Sequence, residues 1–190
     1  HLAPDFVHQR RGKPGRDGAR HKVAAAVGAT PVITAHKTRK EALSGADYVI
    51  NTIQVGGYEA TMQDFDIPEK YGLKQTIGDT LGIGGIFRAL RTVPVILDFA
   101  RDMERVCPDA WMLNYSNPMA MNMMGILRGS RVRAVGLCHS VQGTAMMLAV
   151  WIGALWPEVN YVCAGINHQA WYLKYELNGQ DAYPQIYKAV

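Results

Sequence analysis

The sequence lacks the features that define several protein classes. It has only three cysteines in 190 residues, too few and odd in number for a disulfide-stabilised scaffold. No run approaches the roughly 20 consecutive apolar residues that a membrane span needs, and no secretory signal pattern is visible. With 48% hydrophobic and 19% charged residues, the composition excludes a disordered or collagenous chain. We therefore expect a globular protein with reduced thiols and a cytoplasmic location.

The basic excess is confined to the first part of the chain. Residues 1–40 contain nine Lys or Arg and two Asp, a net charge of +7, whereas the remaining residues contain eleven basic and fourteen acidic side chains, a net charge of −3. No aromatic residue is interleaved with the basic side chains of positions 10–22, which disfavours nucleic-acid binding. We predict an irregular, solvated segment over residues 1–22, and neither a nucleic acid nor a membrane as partner.

After this segment, β-rich runs alternate with helix-like stretches. The strands are predicted at residues 31–35, 47–53, 110–115, 131–137 and 161–166. The helices are predicted at residues 19–27, 37–44, 83–106, 119–127 and 140–154. This alternation is typical of βαβ units, so the sequence predicts an α/β fold with a doubly wound parallel sheet.

Polar residues directly follow four of the predicted strands. Ligands of such sheets bind beyond the carboxyl ends of the strands. At these ends lie Asn51-Thr52, the segment 114–118, Cys138-His139 and Asn167-His168. Any one of them could be a simple turn, but the four together predict a ligand site at this edge of the sheet.

The densest glycine run, residues 78–85, precedes the longest predicted helix. It lacks the third glycine of a G-x-G-x-x-G phosphate loop and follows no clear strand, so it is a poor candidate for that loop. We interpret it as a tight loop that opens the helix at Ile83, with a bare backbone that a ligand could approach closely. Asp79 lies beside the start of this helix, and aspartate is a residue type that commonly caps helices.

Cys138 and His168 are candidate metal ligands, because a thiolate and an imidazole suit a soft or borderline divalent ion. Their spacing fits no zinc finger, and two protein ligands would leave coordination positions open for a substrate. The alternatives are a small buried cysteine and a histidine satisfied at a strand end. Asn117, before Pro118, could offer its carboxamide to a sugar or to a nicotinamide amide, or could simply cap the next helix.

Taken together, these segments resemble family 4 glycoside hydrolases in order and spacing. The resemblance covers residues 23–190 and is carried by residues 47–52, 78–85, 88–94, 114–118, 138–143 and 165–168. Residues 77–91 and 138–144 resemble the α-galactosidase branch, which acts on unphosphorylated, melibiose-like sugars. The implied fold is an incomplete Rossmann-type sheet over residues 23–158, like that of lactate and malate dehydrogenases. Residues 159–190 would begin a C-terminal α+β domain that contributes to the substrate and metal site.

The resemblance implies hydrolysis of an α-glycoside by redox-assisted elimination, with NAD and a divalent ion, usually Mn²⁺. NAD⁺ takes a hydride from the sugar C3, a base removes the acidified C2 proton, and the aglycone leaves. Water then adds and the hydride returns. By position, the family's metal ligands fall on Cys138 and His168, and a substrate-binding residue falls on Asn117.

Four further residues receive roles from the resemblance. His139 falls where the family has its proton donor to the leaving group, and an imidazole suits that task near neutral pH. Asp79 is the rival for this role or a contact to sugar hydroxyls. Asn51 and Thr52 fall beside the cofactor.

Other parts of the family pattern are not in the sequence. The phosphate loop would precede residue 1, the tyrosine base would follow Val190, and residues 1–22 do not resemble the family. We therefore expect an internal fragment whose first segment is a damaged or misread version of the native one. The alternatives are an α-glucosidase or an α-galacturonidase or glucuronidase of the same family, a lactate/malate-type dehydrogenase, and an inactive fragment. A homo-oligomer is expected only of the full-length protein.

Overall fold

The computed structural model describes residues 26, 28, 34, 36–76, 78 and 80–190 of the chain. The irregular segment predicted at residues 1–22 lies outside the described residues, and so does Asp79. Most of the helix predicted at residues 19–27 and of the strand predicted at residues 31–35 lies outside them as well.

The first part of the described chain alternates helices and short strands. In chain order these are α1 (Arg39–Leu43), β1 (Tyr48–Asn51), α2 (Gly57–Lys70), α3 (Gly82–Val106), β2 (Trp111–Asn114), α4 (Met119–Gly129), β3 (Arg133–Gly136) and α5 (Ser140–Trp151). A 3-10 turn (Trp156–Glu158) leads to β4 (Val159–Ile166), β5 (Gln169–Leu177), β6 (Gln180–Asp181) and α6 (Tyr183–Ala189). The elements predicted from residue 37 onward are present with small shifts of their ends, whereas α2, β5 and β6 were not predicted.

Strands β1, β2 and β3 form a parallel sheet in that order, which confirms the predicted sheet type. Its register aligns Asn51 with Asn114 and Asn114 with Gly136. The carboxyl ends of the three strands therefore meet at one edge. Helices α2 and α3 connect β1 to β2, so α3 begins near this edge and ends at the opposite, amino edge, where β2 begins.

The core of the first part lies between α3, α4 and the parallel sheet. Five of its side chains are completely buried: Ile96, Ala100, Met103, Met112 and Ile126. Helix α1 is fastened to α3 by Arg39, whose guanidinium binds Asp98 at 2.6 Å and Asp102 at 2.5 Å. Burial of these apolar side chains stabilises the packing of α3 and α4 against the short parallel strands.

Strands β4, β5 and β6 form a separate antiparallel sheet. Its core is built around Tyr175, which is 1% exposed and donates its hydroxyl to the Ala145 carbonyl at 2.6 Å. Ala145 belongs to α5, so this helix packs on the second sheet although it follows the first one. The domain limits expected from the sequence, with a division between residues 158 and 159, remain a prediction. Within the described part of the chain, no helix is both long and apolar enough to span a bilayer.

Candidate active site

The carboxyl edge of the parallel sheet holds a buried pair of asparagines. Asn51, at the end of β1, donates its Nδ2 hydrogen to Oδ1 of Asn114, at the end of β2, over 2.7 Å. Oδ1 of Asn51 accepts from the Ile53 amide at 3.4 Å. Both ends of the Asn51 carboxamide are therefore bonded within the protein, and the residue is only 4% exposed. Thr52, in contrast, is exposed, so it is the member of the predicted cofactor pair whose side chain can reach a ligand.

The turn after β2 is tied to the loop after β1. Ser116 donates its hydroxyl to the Ile53 carbonyl at 2.8 Å. Asn122, in the first turns of α4, donates to the Ser116 carbonyl at 3.0 Å, while its own Oδ1 is buried without a partner among the described residues. Asn117 lies between these anchors and is partly exposed, and its peptide bond to Pro118 is cis. The predicted substrate residue is therefore held by fixed neighbours on both sides.

Cys138 and His168 are brought together by the second sheet. Cys138 follows β3, and His168 lies in the turn between β4 and β5, where its Nε2 is 3.3 Å from the Cys138 sulfur. Ser140, at the start of α5, places its hydroxyl 3.0 Å and its amide nitrogen 3.4 Å from the same sulfur. The sulfur is thus surrounded by polar groups that favour a negative charge.

The electrostatic consequence is a thiol that ionises easily. Burial alone would raise the pKa of Cys138, but hydrogen bonds from the Ser140 side chain and amide, from His168 and from Asn167 outweigh it. Together they lower the pKa of Cys138 to about 6, so the thiolate predominates at neutral pH. Burial raises the pKa of Cys107, which lies in the core, so that thiol stays protonated.

The donor pair fits a divalent ion. Two protein atoms that bind one ion at about 2.0–2.3 Å lie roughly 3–4 Å apart, and the 3.3 Å between the Cys138 sulfur and His168 Nε2 falls in that range. With its pKa lowered to about 6, the thiol loses its proton readily to give the thiolate, which is the form that binds metals. Next to it, Oδ1 of Asn167 is buried without a partner among the described atoms. No cluster of three or more His, Cys, Asp or Glu side chains occurs in the described ranges, so other ligands would have to come from elsewhere.

His139 directly follows Cys138 and precedes the first residue of α5. It is exposed, and its side chain makes no capping hydrogen bond to the helix. Its imidazole is therefore open to solvent at the start of α5. The structure does not describe Asp79, so the rival candidate for the proton donor cannot be placed relative to His139.

The glycine run before α3 has a different basis from the one predicted. A Cβ atom on Gly84 would clash with the Gly78 carbonyl oxygen and would lie 2.6 Å from the Asp64 carbonyl oxygen. A Cβ atom on Gly85 would lie 2.8 Å from the carbonyl carbon of Thr80. We predicted that these glycines leave room for a ligand. In the structure they instead leave room for the protein's own backbone, where α3 packs closely against α2 and the preceding loop.

A cavity of about 290 Å³ runs along β1 from Tyr48 to Ile53 and is closed by residues of α1 and by Phe99 of α3. Its walls are mostly apolar, and Asn51 and Thr52 contribute to them.

Several residues of this site were not identified from the sequence. Ser140 acts on the Cys138 sulfur, and Ser116 and Asn122 fix the turn that carries Asn117. Ser140 had a readable signal, because a serine two residues after a predicted ligand and at a helix start is placed to hydrogen-bond it. Asn122 had none, since a mid-helix asparagine gives no indication of its tertiary partner.

Comparison with known proteins relates these residues to a family. The model of the family 4 glycosyl hydrolases matches residues 16–154, and the model of that family's C-terminal domain matches residues 163–190. An α-galactosidase of Bacillus subtilis (strain 168) is 53% identical over 155 residues, which cover 81% of this chain and 36% of that protein. An α-galactosidase of Rhizobium meliloti (strain 1021) is 48% identical over 149 residues, covering 78% of this chain and 30% of that protein.

A solved structure agrees with these sequence matches. The 6-phospho-β-glucosidase of Thermotoga maritima, determined with manganese, NAD⁺ and glucose-6-phosphate, superposes with a TM-score of 0.69 and 26% identity. The superposition covers 80% of this chain and 37% of that one. The chain thus spans about a third of the length of the curated relatives it matches.

Proposed function

Because this chain belongs to the family 4 glycosyl hydrolases, we propose that it carries the metal-binding part of an NAD- and manganese-dependent α-galactosidase site. The observation that carries the proposal is the approach of Cys138 to His168 at the carboxyl edge of the sheet. The pair offers a readily ionised sulfur and an imidazole, two of the donor types that bind divalent ions. Family membership also separates the chain from the lactate/malate-type dehydrogenases that the sequence left open.

The proposed substrate is an α-galactoside. Its support is the identity of 53% and 48% to two α-galactosidases, over about four-fifths of this chain in each case. Since these matches cover only 36% and 30% of the two relatives, the sugar is a proposal for the full-length protein. An α-glucoside and an α-galacturonide are the substrates against which it must be compared.

NAD and manganese are proposed because the related Thermotoga maritima structure contains both. In this chain Cys138 and His168 would hold the ion. The ion supplies Lewis-acid stabilisation of negative charge on substrate oxygens, and NAD supplies a hydride acceptor. Thr52, exposed just after β1, would contact the cofactor. The buried Asn51 would act indirectly, by hydrogen-bonding Asn114 and so fixing the ends of β1 and β2.

The chain's own residues would then orient the sugar and protonate the aglycone. Asn117 has a carboxamide that can donate to and accept from adjacent sugar hydroxyls. His139 is exposed and directly follows Cys138 in the sequence, and it would donate a proton to the glycosidic oxygen as the bond breaks. Asp79 remains the alternative donor.

The experiment uses the full-length product of the gene that encodes this sequence. Hydrolysis of p-nitrophenyl α-galactoside, α-glucoside and α-galacturonide is measured with NAD⁺, Mn²⁺ and a reductant, and each component is then left out. We expect the α-galactoside to react fastest, and only when all three additions are present. If another glycoside reacts fastest with the same requirements, that sugar replaces galactose as the proposed substrate. Hydrolysis without NAD⁺ would rule out the redox mechanism.

A further inference from the structure

A pair of charged residues lies behind the loop that leaves β1. Asp64, on α2, is 1% exposed, and Arg91, on α3, binds both of its carboxylate oxygens at 2.7 and 2.5 Å. The remaining Nε hydrogen of Arg91 is donated to the Val55 carbonyl at 3.1 Å. The guanidinium therefore connects two helices to the middle of the loop that carries Thr52.

The geometry of arginine makes Asp64 the residue that aims this bond. A guanidinium is planar and its N–H groups point in fixed directions. Once Nη1 and Nη2 are engaged by the Asp64 carboxylate, the direction of Nε is set, and it points at Val55. A lysine at position 91 could neutralise Asp64, but as a point charge it could not reproduce this fork.

The far end of the loop consists of two glycines, which restrict the backbone less than other residues do, so bonds from neighbouring elements are needed to hold the loop in one conformation. Gly56 and Gly57 both have positive φ angles, of 89° and 66°, in a region that glycine enters without steric cost. Arg91 packs directly against the first of them, since a Cβ atom on Gly56 would lie 3.3 Å from Nε. The Val55 carbonyl is therefore fixed from the α3 side, as the Ile53 carbonyl is fixed by Ser116.

We propose that Asp64 and Arg91 are a positioning pair that holds residues 52–56 in the conformation that receives the cofactor. This inference rests on the proposed function, which assigns Thr52 to NAD. Neither residue touches the reacting atoms. Without the pair, the loop spreads over several conformations and NAD⁺ binds only the competent fraction, so its apparent affinity falls by that fraction. The metal pair of Cys138 and His168 lies on other elements and keeps its affinity.

The test compares Arg91→Lys with Glu104→Ala in the full-length gene product. Glu104 is a matched control because it lies on the same helix, at the amino edge, where its carboxylate also holds a loop by accepting from the Arg131 amide at 2.6 Å. We measure NAD⁺ and Mn²⁺ affinity by titration, hydrogen exchange of the amides of residues 53–57, and kcat at saturating NAD⁺. Arg91→Lys is expected to weaken NAD⁺ binding about tenfold and to speed exchange in the loop, with Mn²⁺ affinity and kcat near wild type.

Two results would overturn the positioning role. One is an Arg91→Lys protein that binds NAD⁺ and exchanges its loop amides as wild type does. The other is an equal loss of NAD⁺ and Mn²⁺ affinity, which marks a structural role. If Arg91→Lys does not fold, Asp64→Asn takes its place. The asparagine keeps one oxygen acceptor for the guanidinium but loses the second, so the two-bond fork is broken and the same selective loss of NAD⁺ affinity is expected. Failure of the proposed function is distinguishable, because wild type itself would then not bind NAD⁺, and the positioning claim would fall with it.

Discussion

The sulfur of Cys138 lies 3.3 Å from Nε2 of His168, although the two residues are 30 positions apart. One follows the last strand of the parallel sheet, and the other occupies the first turn of the antiparallel sheet. Their approach therefore depends on how the two sheets are joined through α5. Cys138 lies in the part of the chain that matches the first family model, and His168 lies in the part that matches the C-terminal model.

Loss of the sulfur ligand is the first prediction. Cys138→Ser replaces a thiolate by a neutral hydroxyl, which is a much weaker metal ligand at neutral pH. We expect Mn²⁺ affinity and α-galactoside hydrolysis by the full-length protein to fall by at least about 100-fold. Cys163→Ser, on β4, is the control and should leave both unchanged. Equal effects of the two substitutions would contradict a metal role for Cys138.

The second prediction concerns the reactivity of the same thiol without metal. Because the pKa of Cys138 is about 6, its alkylation by iodoacetamide in the presence of a chelator should rise through pH 6 and level off above pH 7. Ser140→Ala removes the hydroxyl hydrogen bond, so the pKa should move up and the alkylation curve should shift to higher pH. Cys107, whose pKa is raised by burial, is the internal control and should react slowly throughout.

The sign of this pKa shift also sets a dependence of stability on pH. The thiol has a lower pKa in the folded protein, about 6, than its ordinary value of 9.0. Its contribution to folding is therefore complete only above pH 9 and is lost as the pH falls toward 6. Urea unfolding with a chelator should show a wild-type advantage over Cys138→Ser that shrinks over this interval. An advantage that grows as the pH falls would contradict the assigned hydrogen bonds.

The proton donor is tested by the leaving group. If His139 protonates the glycosidic oxygen, His139→Gln should reduce kcat on melibiose by about 10²–10⁴-fold. On p-nitrophenyl α-galactoside the loss should be small, because p-nitrophenolate leaves without protonation. Asp79→Asn is measured beside it. Only one of the two substitutions should reduce kcat strongly on melibiose but weakly on p-nitrophenyl α-galactoside. If that substitution is Asp79→Asn, Asp79 and not His139 is the proton donor.

Asn51 and Thr52 should respond differently although they are adjacent. Asn51→Ala removes the donor to the buried Oδ1 of Asn114 and the acceptor of the Ile53 amide, so we expect a loss of about 1–3 kcal/mol in the free energy of unfolding. Thr52→Ala, at an exposed position, should change stability by less than about 0.5 kcal/mol while weakening NAD⁺ binding. Urea denaturation and NAD⁺ titration of both variants separate the two roles. A stable Asn51→Ala protein would contradict the importance of the Asn51–Asn114 bond.

The parallel sheet was predictable because its strands are short apolar runs between strong helices. Helix α2 was missed because its sequence is largely polar and contains Pro68, so no clear apolar stripe marks it. Strand β5 was missed although it is a nine-residue β-rich run, because Asn167-His168 between β4 and β5 is not one of the glycine-containing pairs that mark a two-residue hairpin.

The site was predictable as a set of strand ends but not as a set of contacts. Residue type and position singled out Cys138, His168 and Asn117 as candidates, and the structure brings the first two within 3.3 Å of each other. Nothing in the sequence tells which asparagine turns inward, so the burial of Asn51 against Asn114 became visible only in the structure. The same holds for Gly84, whose neighbour is the protein's own backbone.

Redox-assisted elimination at the carboxyl edge is tested most directly at the sugar C2. The full-length protein is supplied with methyl α-galactoside, NAD⁺ and Mn²⁺ in D₂O, and the galactose produced is analysed by NMR. We predict one deuterium at C2 in each product molecule, formed only when NAD⁺ is present, because the C2 proton must leave and be replaced from solvent. Galactose that retains its C2 proton would show direct hydrolysis and contradict the proposed mechanism.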